Sequence, residues 1–110
     1  MSLTPLPAAL AAFMQAIPKV ELHCHLLGAV RRGTFAELAR RARRPVPPEE
    51  VEAFYTRGEK PVGAIRVLRS LEQAVLGGAD DLQRITREAL QDLAAHQVRY
   101  AELFWNPTGT

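Results

Sequence analysis

The 110-residue chain has one cysteine, so no disulfide can form within it, and such scarcity fits a reducing compartment, with the cytoplasm the expected location. No apolar run approaches the roughly 20 residues that span a bilayer. The opening segment from Met1 to Ile17 is apolar, but it has no basic start and is interrupted by Pro5 and Pro7, so neither a signal peptide nor a membrane anchor is expected. A surplus of one charge is also missing, with 14 Lys and Arg against 12 Asp and Glu. At 47% hydrophobic and 24% charged residues, the composition leaves out the disordered classes and is that of a soluble globular protein.

The one basic cluster is Arg31, Arg32, Arg40, Arg41, Arg43 and Arg44. A nucleic-acid footprint needs such charge on one face, joined by stacking aromatics. The single aromatic among these arginines, Phe35, falls on the helix's apolar stripe, and acidic residues return at Glu49, Glu50 and Glu52. The cluster therefore reads as a solvated helix face, with no nucleic-acid partner and no membrane partner expected.

What stands out is Lys19-Val20-Glu21-Leu22-His23-Cys24-His25. A strand turns alternate side chains to opposite faces, which sets Lys19, Glu21, His23 and His25 on one side and Val20, Leu22, Cys24 and Leu26 on the other. An apolar face outside and an ionisable row inside suit a strand covered by helices that lines a polar cavity. His23 and His25 are then a pair of candidate metal ligands, although the bare tripeptide also suits two hydrogen-bonded polar residues at a strand end. Neutral imidazoles suit Zn²⁺, and also iron, nickel or copper. Cys24 has the wrong parity for the same ion and reads as a small buried residue.

The rest of the chain alternates helices with breakers. Leu6, Leu10, Phe13, Met14 and Ile17 follow helical spacing up to Pro18, consistent with a short helix covering the first strand. Thr34 and Glu37 have capping-box spacing, predicting a helix from Thr34 to Arg44 that buries Phe35, Leu38, Ala39 and Ala42. Pro48 can start a helix over Glu49 to Thr56, with Phe54 and Tyr55 to bury. Arg57 to Pro61 reads as a turn, and Val62, Ile65, Leu68, Leu71 and Val75 suit another helix, stopped at Gly77-Gly78. Asp80 or Asp81 can cap a last helix with Leu82, Ile85, Ala89, Leu90 and Leu93 on its apolar face. His96 closes that helix, where the macrodipole favours it.

Two segments carry a family resemblance. Pro18 through Gly28 resembles the first strand of the adenosine deaminase family, whose signature is Pro-Lys-x-Glu-Leu-His-x-His-Leu-x-Gly. Val98 through Pro107 looks like the family's second strand. The resemblance implies an α/β fold, the N-terminal part of a (β/α)₈ TIM barrel, with the first two parallel strands and the helices between them. It also implies a zinc-dependent hydrolase that converts adenosine to inosine and ammonia by replacing the purine 6-amino group with oxygen.

Several expectations follow from that likeness. His23 and His25 would be zinc ligands at the carboxyl end of a strand, where barrel active sites gather. Gly28 would leave room for the substrate near the metal, and Leu27 would line the substrate site. Leu27 departs from the family, which usually has an acid there to hold the ribose, so an adenine or a modified adenine nucleoside is the alternative substrate. The Phe104-Trp105-Asn106-Pro107 ending likewise replaces an arginine-bearing version found in many adenosine deaminases. Glu102, on the inward row with Val98, Tyr100 and Phe104, must find a partner if buried. The proton-donating glutamate and the remaining ligands belong to later strands in the family, so no catalytic residue is assigned.

A whole barrel takes about 250 residues. Residues 1–110 are thus expected to be the N-terminal segment of a purine deaminase barrel, with the remainder absent from this chain and with a homo-oligomer compatible. A small-molecule purine or purine nucleoside is the expected partner. The contrasting reading is a non-catalytic α/β module that binds another protein to cover its open sheet edges.

Overall fold

The structure is a computed structural model, and it describes residues 4–42, 47–55 and 76–105. Helix α1 (Ala8–Ala16) leads into strand β1 (Lys19–His25) and a 3-10 turn (Leu26–Ala29). Helices α2 (Arg32–Arg41), α3 (Pro48–Tyr55) and α4 (Ala79–Ala95) follow, and strand β2 (Val98–Phe104) comes last. The two strands pair in parallel, from Lys19 opposite Val98 to His25 opposite Phe104, with two irregularities between. Their carboxyl ends therefore lie side by side.

The amino ends are tied just as firmly. The Lys19 backbone N–H donates to the Gln97 carbonyl at 2.9 Å. Its side-chain ammonium donates to the carbonyls of His96 at 2.8 Å, Ile17 at 3.1 Å and Gln15 at 3.4 Å. One cation thus takes up carbonyls left over where α1 and α4 end, which also suits the negative ends of both helix dipoles. The turn after α4 depends on Gln97, whose φ of 61° lies in the left-handed region that a glycine adopts more cheaply.

The core is one cluster built by the 3-10 turn, α2, α3 and α4: Leu26, Leu27, Val30, Phe35, Leu38, Ala39, Val51, Ile85 and Ala89. Helix α3 starts at Pro48, as expected, and Val51 is buried while the Tyr55 hydroxyl donates to the Val30 carbonyl at 2.7 Å. Burial pushes the Tyr55 phenol well above its ordinary pKa. On α4, Ile85 and Ala89 are buried as expected, whereas Leu90 lies exposed. The expected turn over Arg57 to Pro61 and the helix over Val62 to Val75 fall outside the described residues.

Helix α2 departs from its capping-box reading. It starts at Arg32, two residues before Thr34, and Arg31 at its N-cap position makes no side-chain cap. The Thr34 hydroxyl instead donates to Glu88 Oε2 on α4 at 2.6 Å, and Glu37 accepts from Arg84 Nη2 at 2.9 Å. Charge-assisted bonds across two helices have displaced a local neutral cap. The helix ends at Arg41 rather than Arg44, and Ala42 is only half-buried.

Three arginines of the basic cluster form ion pairs, while Arg43 and Arg44 lie outside the described residues. Arg31 grips Asp92 with two nitrogens, Nη2 at 2.8 Å among them, Arg32 pairs with Glu52, and Arg41 pairs with Asp81. Asp81 also accepts from the Gly77 N–H at 2.8 Å, reaching back across the start of α4, while Gly78 occupies the N-cap position without a side-chain cap. Burial pushes the Asp81 carboxyl up, but the Gly77 N–H and Arg41 outweigh it and leave it below its usual range.

Helix α1 forms where predicted but buries none of its residues. Leu6, Leu10, Phe13 and Met14 are exposed, and so are Val20 and Leu22 on the apolar face of β1, at 63% and 59%. The expectation that α1 covers that face is therefore corrected. Pro18 and the Lys19 tie seat the end of α1 at the base of the sheet, where Gln15 Nε2 donates to the Ala95 carbonyl at 2.7 Å.

Burial likewise pushes the Glu88 carboxyl up, but Thr34 and Arg84 outweigh it and hold it below the carboxylate range. The fold therefore favours ionised Glu88, a contribution complete above about pH 4.3 and lost as pH falls through the lower native value. Thr34→Val should cost about 1–2 kcal/mol at pH 7 by breaking this bond. Urea unfolding at pH 7 and at pH 3 checks this, and the loss should shrink markedly at the lower pH.

Candidate metal centre

The alternation of β1 brings the two histidines together on the face that β2 extends. The imidazole rings of His23 and His25 lie with centroids 5.0 Å apart and planes at 87°. Two imidazoles on one tetrahedral zinc, each bound at about 2.0–2.1 Å, carry their centroids about 5 Å apart. The pair therefore fits a shared ion. Both rings are exposed at the carboxyl end of the strand, and the Glu21 carboxylate accepts from the His23 backbone N–H at 3.1 Å, bracing the backbone just before His23.

Cys24 keeps the opposite parity. It is half-buried, and its thiol lies 3.9 Å from the His25 carbonyl. Burial, assisted by the negative charge of Glu21, pushes the thiol pKa up, the reverse of what a metal-binding thiolate requires. Among the described residues, no group of three or more His, Cys, Asp and Glu side chains is placed to hold a metal ion. His23 and His25 are thus a candidate pair and not a complete ligand set.

The 3-10 turn sits directly after the histidines. Leu27 is only 7% exposed and packs into the core, while Gly28 is exposed. A Cβ on Gly28 would meet the His25 Cβ at 3.9 Å, an ordinary contact, so a side chain there would lie beside the metal-binding ring. Glu102 is exposed rather than buried, and it accepts from the Tyr100 hydroxyl at 2.8 Å. His96 caps the end of α4, at the opposite end of β2 from the histidine pair.

Phe104 enters the site in a way that residue spacing did not bring out. Its ring centroid lies 4.8 Å from that of His23 and 6.1 Å from that of His25. The register that sets Phe104 opposite His25 is the signal that could have found it, because paired residues of neighbouring strands share a face. Asn106 and Pro107 lie outside the described residues. A shallow groove of about 430 Å³ runs along α4, lined by Leu82, Thr86 and Leu90 among others, and includes none of these site residues. No helix among the described residues is long and apolar enough to cross a membrane.

Comparison with known proteins gives the family and the fold. The family described as Adenosine deaminase matches residues 18–110. An aminodeoxyfutalosine deaminase from Streptomyces coelicolor is 34% identical, over 92% of this chain and 26% of its own length. An N6-mAMP deaminase from Arabidopsis thaliana is 32% identical, over 86% of this chain and 27% of its own. A crystal structure of an amidohydrolase from Burkholderia ambifaria, with bound Zn, superposes with a TM-score of 0.89 and 59% identity, covering 97% of this chain and 29% of that one. The chain thus spans less than a third of the length of the relatives it matches. Its two adjacent parallel strands and their intervening helices are the opening of a (β/α)₈ barrel, as the sequence led us to expect.

Because the thiol of Cys24 is turned from the histidine face, Cys24→Ala should leave divalent-metal affinity within about twofold of the parent. Competition against a chromophoric chelator measures this, and a loss of tenfold or more would make Cys24 a ligand.

Proposed function

This chain belongs to the adenosine deaminase family, and on that premise we propose that it forms the N-terminal segment of a zinc-dependent hydrolytic deaminase of 6-aminopurines. The observation that carries the reading is the pair of adjacent imidazoles, with centroids 5.0 Å apart at the carboxyl end of β1. His23 and His25 hold the ion. When bound, zinc acts as a Lewis acid that makes water nucleophilic near neutral pH. The reaction replaces the purine 6-amino group with oxygen and releases ammonia.

The residues in hand do the holding and shaping. Glu21 braces the backbone leading into His23, and Gly28 keeps the space beside His25 free of a side chain. The remaining ligands and the proton donor come from outside these residues. By itself the 110-residue chain should bind zinc weakly and deaminate nothing.

Position 27 bears on substrate choice through what it lacks, since Leu27 packs into the core and presents no polar atom. An alkyl side chain neither donates nor accepts a hydrogen bond, so this position cannot hold a ribose hydroxyl. We read the substrate as an adenine compound without ribose, or an adenine nucleoside modified at its 5′ group, in preference to adenosine. The names of two relatives, an aminodeoxyfutalosine deaminase and an N6-mAMP deaminase, support a spread of substrates in this family.

Two measurements on the full native protein test the proposal. His23→Ala or His25→Ala should weaken zinc binding by about 100-fold or more. Undiminished zinc in either variant would refute the metal assignment. Comparing kcat/KM for adenine, adenosine and a 5′-modified adenosine tests the substrate, and adenosine should be the poorest of the three. A clear preference for adenosine would overturn the role given to Leu27.

A further inference from the structure

We propose that Phe104 is a positioning residue that sets the orientation of both imidazoles, an inference that rests on reading His23 and His25 as the metal ligands. A histidine that binds a metal ordinarily has its second ring nitrogen fixed by a carboxylate, a carbonyl or water, and that bond chooses the ring's orientation. Among the described residues neither imidazole makes such a bond, and the Glu21 carboxylate is taken up by the His23 backbone. Packing can set the orientation of a ring as well, and here one aromatic side chain contacts both imidazoles.

Phe104 is the group placed to do it. Its plane is tilted 43° from that of His23 and 45° from that of His25, while the two imidazoles stand at 87° to each other. The phenyl plane is thus tilted about equally to both, and the ring packs against the side of the pair, closer to His23 than to His25. Tilted aromatic contacts with centroids 4.5–7 Å apart are the favoured kind. The phenyl ring is itself anchored, because Phe104 sits in backbone register with His25 through the parallel pairing of β1 and β2. A flexible aliphatic side chain there would fill space but would not define the angle between two planes.

The test uses the full native protein and a readout independent of turnover. Phe104→Leu should weaken Zn²⁺ affinity about tenfold, in the range that supporting groups around metal ligands contribute. At saturating Co²⁺ it should also change the visible d–d spectrum, since that spectrum reports ligand geometry. Phe104→Tyr, which keeps the ring, should restore both affinity and spectrum, and circular dichroism confirms that each variant is folded. If Phe104→Leu does not fold, the proposal stands or falls on Phe104→Tyr and Phe104→Met, the first parent-like and the second shifted in its Co²⁺ spectrum. His23→Ala, measured alongside, separates the two levels. If it loses metal while the Phe104→Leu or Phe104→Met protein keeps parental affinity and spectrum, the positioning role is wrong and the metal assignment survives. If it keeps its metal, both fall.

Discussion

Parallel pairing of β1 with β2 is the constraint on which the rest depends. A parallel pair requires the chain to leave one strand at its carboxyl end and return to begin the next at its amino end, and here α2, α3 and α4 make that return. Both strand ends are thereby specified at once. The amino ends meet at Lys19, whose ammonium gathers carbonyls from the ends of α1 and α4. The carboxyl ends meet at His25 and Phe104, where the two histidine rings and the phenyl ring come together. A shift of one residue in this register would turn Phe104 away from the imidazoles.

The return path is held by two unlike sets of interactions. Nine apolar side chains provide the cluster between the 3-10 turn and the three helices. Around it, Arg31, Arg41 and Arg84 link α2 and its lead-in to carboxylates on α4 and α2. Exposed ion pairs of this kind each contribute little, typically below about 1 kcal/mol. Their effect is on alignment: a planar guanidinium held by Asp92 through two nitrogens admits few angles between the partners. The buried Thr34 hydroxyl and the mostly buried Glu88 carboxylate are the energetically heavier contact in this set.

The sequence was most legible where a short-range rule settled the outcome. Strand parity alone put His23 and His25 on one side and Cys24 on the other, and helical spacing picked out Phe35, Leu38, Ala39, Ile85 and Ala89 as buried. It was least legible where a distant partner overrode a local pattern. Thr34 and Glu37 have capping-box spacing, yet their partners Glu88 and Arg84 lie 54 and 47 residues away. The arginines do lie on an exposed face, but their partners, Asp92 for Arg31 and Glu52 for Arg32, are distant in sequence and cannot be read from local spacing. Phe104 belongs to the same class, because its meeting with the histidines depends on strand register and not on local spacing. The apolar stripe of α1 shows the opposite failure: the periodicity was right, but periodicity does not say what covers it.

The Lys19 tie has a consequence for how the protein comes off the ribosome. Its carbonyl partner at His96 is encoded 77 residues downstream. At about 5–20 residues per second, β1 waits roughly 4–15 seconds after emerging before that partner exists. During that interval Val20 and Leu22 form part of a nascent strand with neither edge paired. The alternating Lys19 and Glu21 then act as charged gatekeepers, keeping that waiting segment from pairing with its neighbours on a polysome.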